Sequence, residues 1–99
     1  MCDCDIVFVL DGSGSISYNE GVEMVDFVKD VVNLLGDLGG NNVNYGSVVF
    51  AENAAVRISL SQEMNYQTFV NSVSLDRNGL GSVTKTHKGI NLAMQDLQT

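Results

Sequence analysis

The hydrophobic period changes several times along the chain, and each change marks an element. Ile6-Val7-Phe8-Val9-Leu10 is an unbroken apolar run. Without alternation, such a run reads as a strand buried on both faces, as in a parallel sheet covered by helices. Residues 5–11 are therefore expected to form the first strand. From about Tyr18 the period becomes helical: Met24, Val25, Val28, Val31, Val32 and Leu35 share one face, while Asp26, Lys29, Asp30 and Asn33 take the other. Asn19, Glu20 and Glu23 place capping and acidic residues in the first turn, where the helix dipole favours them. The helix should end at Gly36, and Gly39-Gly40-Asn41-Asn42 should turn the chain.

Val43 to Ala51 reads as a second strand, with Val48-Val49-Phe50 as its buried part. Glu52-Asn53 is a short polar connection. From Ala54 to Leu60, Val56, Ile58 and Leu60 alternate with Arg57 and Ser59, which predicts a half-exposed strand paired antiparallel with the second. Tyr66, Phe69, Val70 and Val73 indicate a short helix, and Asp76 to Ser82 a polar loop. Ile90, Ala93, Met94 and Leu97 mark the apolar face of a last helix starting near Thr86. The order is β-α-β-β-α-α, an α/β fold.

The first strand runs into Asp11-Gly12-Ser13-Gly14-Ser15. Open α/β sheets place their ligands at the carboxyl ends of their strands, and this loop has that position. Carboxylate and hydroxyl oxygens at i, i+2 and i+4 can turn to one side of a glycine-containing loop. They are hard donors, suited to Mg²⁺, Mn²⁺ or Ca²⁺. A single carboxylate among them would leave a bound cation electron-poor and open to an acidic group from outside. The plain alternative is a Gly/Ser connector with a helix cap.

This motif, after a hydrophobic strand, resembles the metal-ion-dependent adhesion site of von Willebrand factor type A domains. Val48-Val49-Phe50-Ala51 resembles the end of that family's second strand, and residues 81–90, Gly-Ser-Val-Thr-Lys-Thr-His-Lys-Gly-Ile, resemble its second metal-site loop. The resemblance implies a Rossmann-like three-layer αβα fold. It also implies a metal held by Asp11, Ser13, Ser15 and Thr84, with Thr86 as the neighbouring alternative to Thr84. A helix cap or local turn is the plain reading of Thr84. Up to Thr99 the family's later strands and their acidic metal-site residue have no counterpart. The expectation is thus the first part of one domain over residues 1–99, with the sheet edge beside Ile6–Leu10 uncovered and open to self-association.

Charge and composition narrow the function. Twelve Asp+Glu against five Lys+Arg give a net charge of −7, which opposes phosphate-mediated nucleic-acid binding and anionic membrane surfaces. No apolar stretch approaches the ~20 residues of a membrane span. The sequence offers no phosphate-binding Gly-Lys-Ser/Thr loop, and Ser17 stands where a dinucleotide loop needs its third glycine. Aspartyl-phosphate phosphatases also carry an Asp at a strand end, but Ser13 stands where they need a second one. His87 is the sole histidine, with no motif tying it to a serine nucleophile. The chain is not expected to be an enzyme.

Cys2 and Cys4 lie two apart, so a bridge between them would be strained. With His87 they offer zinc only three soft ligands. Pairing with cysteines elsewhere is the simpler reading and agrees with the family habit of bridging a cysteine ahead of the first strand. It points to an extracellular setting, either secreted or as the ectodomain of a membrane protein. Two functions follow as expectations. One is an adhesion module that recruits an acidic residue of an extracellular protein through its cation. The other is a structural matrix or assembly domain with a vestigial metal loop. A chaperone-like intracellular role is the weakest alternative.

Overall fold

The structure is a computed structural model and describes residues 4–37, 43–62 and 65–98. The element order is β1 (Cys4–Asp11), α1 (Tyr18–Asp37), β2 (Val43–Phe50), β3 (Ala54–Ile58), a 3₁₀ turn (Leu60–Gln62), α2 (Tyr66–Ser72) and α3 (Thr86–Leu97). The strands form one sheet in the order β1-β2-β3. β1 and β2 are parallel, with Cys4 opposite Val43 and Asp11 opposite Phe50. β2 and β3 are antiparallel. The predicted turn at 39–42 lies outside the described residues, as does Cys2, and Cys4 is described only as backbone of β1.

The sheet separates two helical layers. Ile6, Phe8 and Leu10 of β1 share a face with Tyr45 and Val49 of β2, because paired residues in a parallel ladder point the same way. On that face they pack with Val28 and Val32 of α1 and with Phe69 and Val73 at α2. The Tyr45 and Phe69 rings lie 5.4 Å apart between centroids. The helical face expected for α1 is the one buried, with Met24, Val25, Val31 and Leu35 half-buried around Val28 and Val32. α1 begins with a capping box: the Ser17 N–H donates to Glu20 Oε1 at 3.0 Å, and the Glu20 N–H donates to Ser17 Oγ at 3.1 Å. α2 is capped by Asn65, whose side chain accepts from the Thr68 N–H at 2.8 Å.

α3 covers the opposite face, at a different rotation from the one expected. Its buried positions are Gly89, Ala93 and Asp96, while Ile90, Met94 and Leu97 are about half exposed. The reason is close approach. A Cβ on Gly89 would stand 2.7 Å from the Phe50 ring, so only glycine lets the helix lie on that ring. Asp96 fixes the other end. Its Oδ1 accepts from Ser59 Oγ at 2.9 Å and its Oδ2 from the Leu60 N–H at 3.1 Å. A polar anchor and a missing side chain thus outrank the apolar stripe.

The third strand also departs from simple alternation. The pairing register shifts between Ser47 and Val48, so Ser47 faces Ile58 while Val48 faces Val56. The extra residue, Arg57, is drawn inward. Its Nε and Nη2 donate to the carbonyls of Asp76 and Asn78 at 3.1 and 2.8 Å, and its Nε lies 3.7 Å from the Asp76 carboxylate. This bulge lets β3 hold the 76–80 loop.

Candidate metal centre

β1 and β2 run parallel, so their carboxyl ends meet at one rim of the sheet. The Gly12 N–H donates to the Phe50 carbonyl at 2.7 Å and closes that rim. Beyond it the chain tightens into a turn. The Ser13 N–H donates to Asp11 Oδ1 at 2.9 Å, and the Ser13 and Ser15 hydroxyl oxygens lie 3.1 Å apart. Asp11 Oδ2 makes no hydrogen bond among the described residues. Ser13 is fully buried, Asp11 half-buried and Ser15 exposed. These three predicted site residues are therefore brought together as one oxygen-lined turn.

The 81–85 segment is laced to the same rim by backbone. The Gly14 N–H donates to the Ser82 carbonyl at 2.9 Å, the Asn53 N–H to the Leu80 carbonyl at 3.0 Å and the Lys85 N–H to the Ala51 carbonyl at 2.9 Å. A Cβ on Gly14 would stand 3.0 Å from Ser82 Cβ, so the glycine is what allows the two loops to touch. Thr84 sits between these fastened points, exposed, with no hydrogen bond from its side chain among the described residues. The fold brings its loop to the turn, with no hydrogen bond between its hydroxyl and either serine. Thr86 is the first residue of α3 and is also exposed.

Several supporting residues carry no mark in the sequence. Arg77 Nη1 donates to the Ile16 carbonyl at 3.0 Å, and the Ile16 N–H donates to the Ser13 carbonyl at 3.1 Å, which pins the far side of the turn. Leu80, just ahead of the second loop, is buried in the core cluster. Glu52 lies against Gly81. Most of these contacts involve backbone carbonyls, which every residue possesses, so no residue type could have announced them. His87 is exposed on the first turn of α3. Among the described residues no three His, Cys, Asp or Glu side chains cluster.

The von Willebrand factor type A domain profile matches residues 5–99, and the chain belongs to that family. It is 35% identical over 86 residues to the mouse collagen alpha-6(VI) chain, covering 87% of this chain and 4% of that one. It is 38% identical over 58 residues to the mouse collagen alpha-4(VI) chain, covering 59% of this chain and 2% of that one. The chain thus spans only a few per cent of these relatives. Among solved structures it resembles proximal thread matrix protein 1 of the mussel byssus, in a form with a zinc-occupied MIDAS motif. There the TM-score is 0.74 with 25% identity, over 92% of this chain and 24% of that one. A membrane-spanning protein of Vibrio fischeri shares the fold at a TM-score of 0.69 and 21% identity, over 96% of this chain and 49% of that one. The three-layer α/β reading and the family resemblance of the sequence therefore both hold.

Proposed function

We propose that this chain is an extracellular, non-catalytic recognition module that captures a protein partner through a divalent cation. Asp11, Ser13, Ser15 and Thr84 would hold the ion, Mg²⁺ in the first instance and Mn²⁺ or Ca²⁺ in its place. The bound ion would supply a Lewis-acidic position for a carboxylate of the partner. The observation that carries this reading is the turn itself: a buried serine hydroxyl 3.1 Å from a second one, beside a carboxylate with one oxygen unengaged among the described residues. The donor set is all oxygen with one negative charge, and it fits a hard cation that keeps affinity for an outside acid. Collagen VI relatives and a byssal matrix protein support an extracellular setting.

Calorimetric and thermal-shift titrations test it. Mg²⁺ and Mn²⁺ should raise the melting temperature of the wild type and leave Asp11→Ala unmoved. Ca²⁺ and Zn²⁺ belong in the same series, since zinc occupies the equivalent motif of the mussel protein. Absence of any shift with all four ions on wild type would defeat the reading.

A second reading is a matrix or assembly domain whose metal loop is vestigial. Among the described residues β1 is hydrogen-bonded to a neighbour on one side only, and an open strand edge invites pairing with another copy. Sedimentation across a range of concentrations separates the two readings. Mass that grows with concentration, without any metal response, favours assembly.

A further inference from the structure

A groove of about 480 Å³ runs between α1 and the segment that follows α2. Its walls are Tyr18, Val22 and Val25 on the helix and Val73 and Leu75 opposite. Tyr18 is 82% exposed and Val22 41%, so the walls are apolar and reachable from solvent. That volume accommodates one or two side chains rather than a whole helix.

The polar lining gives the groove a sign. Lys29 and Arg77 border it, against the single carboxylate of Asp26. Two of the five cations in a chain of net charge −7 therefore flank one apolar cleft. Neither is ion-paired: among the described residues the ion pair is Arg57–Asp76. Lys29 is half-buried and makes no ion pair among the described residues, so its ammonium is available to a carboxylate that reaches the groove. Arg77 already donates to the Ile16 carbonyl through Nη1, which leaves Lys29 as the free charge.

We propose that this groove docks an acidic peptide segment of a partner protein: an aromatic or aliphatic side chain enters between Val22, Val25 and Leu75, and a neighbouring Asp or Glu meets Lys29. The site is separate from the Asp11–Ser15 turn and needs no metal. It touches that turn through Arg77, whose bond to Ile16 continues to Ser13.

The test is an amide chemical-shift titration of the ¹⁵N-labelled chain in metal-free buffer with three probes: acetyl-Phe-Glu-amide, acetyl-Phe-Gln-amide and acetyl-Phe-Lys-amide. The Glu peptide should shift the amides of Val22, Val25 and Leu75 saturably, and bind about fivefold tighter than the Gln peptide, the increment of one partly screened ion pair. Lys29→Gln, at the border of the groove, should erase the difference between Glu and Gln peptides. Val22→Glu should abolish binding of both. Equal affinity for Glu and Gln peptides on wild type, preference for the Lys peptide, or shifts located elsewhere would each overturn the proposal. Groove shifts that follow protein concentration without peptide would also overturn it, by identifying the occupant as a second copy.

Discussion

The Gly14 N–H donates to the carbonyl of Ser82 at 2.9 Å, joining two loops that lie 68 positions apart in sequence. This contact registers the Asp11–Ser15 turn against the loop that carries Thr84. It depends on the absent side chain of Gly14, since a Cβ there would meet Ser82 Cβ at 3.0 Å. Gly14→Ala should force the loops apart by a few tenths of an ångström. The expected cost is about 1 kcal/mol of stability, the lower end for overpacking. The melting temperature should fall modestly, while Mg²⁺ affinity, read by calorimetry, should fall more than stability does. Unchanged metal affinity would show that the two loops act independently.

Asp96 is the polar anchor of α3, and its loss should be costly. Asp96→Ala strands the buried Leu60 N–H and leaves the Ser59 hydroxyl only its partner Ser61. An unsatisfied buried donor costs about 1–3 kcal/mol. Urea unfolding should show a lower midpoint with an unchanged slope. Asp96→Asn, which keeps one acceptor oxygen, should lose less.

The capping box at Ser17 and Glu20 predicts an acid-dependent loss. The Ser17 N–H, and secondarily its hydroxyl, hold the Glu20 carboxyl below the usual carboxylate range. A carboxylate with a depressed folded-state pKa contributes stability that is fully present above its unfolded pKa. That contribution disappears as pH falls through the folded value. Wild type and Glu20→Gln should therefore differ most near neutrality and converge in acid. Chemical denaturation at a series of pH values measures this. A difference that grows on acidification would contradict the box.

Tyr45 offers the opposite limb. Its hydroxyl is buried on β2 without a hydrogen-bond partner among the described residues, and burial pushes its phenol up from the ordinary value. A raised folded-state pKa means stability that is present below the unfolded pKa and lost as pH rises through the folded one. Tyr45→Phe keeps the ring against Phe69 and removes an unsatisfied group. It should be neutral or stabilising by up to about 1 kcal/mol at neutral pH. Its alkaline unfolding should begin at higher pH than in wild type, as followed by far-ultraviolet circular dichroism. A loss of several degrees in melting temperature at neutral pH would imply a partner for the hydroxyl.

Local pattern accounted for much of the fold because the elements here are strongly periodic. The unbroken Ile6–Leu10 run, the α1 stripe through Val28 and Val32, and the hairpin of β2 and β3 each follow from side chains that must leave water on one face or both. The approach of Ser13 to Ser15 was legible for a similar reason: side chains two apart in a glycine-containing turn can end on the same side, as their 3.1 Å hydroxyl contact shows.

What only the tertiary structure decided was how the elements meet. The rotation of α3 follows from Gly89 on Phe50 and from Asp96 under Leu60, two long-range contacts that outweigh an amphipathic stripe. The bulge at Arg57, the docking of Ser82 on Gly14 and the latch from Arg77 to Ile16 use backbone carbonyls, which are identical at every position and so leave no trace in a string of residue types. Sequence by itself determined which groups were available, because side-chain chemistry and period are local properties. Their juxtaposition was settled by packing, because close approach between distant segments depends on the whole chain at once.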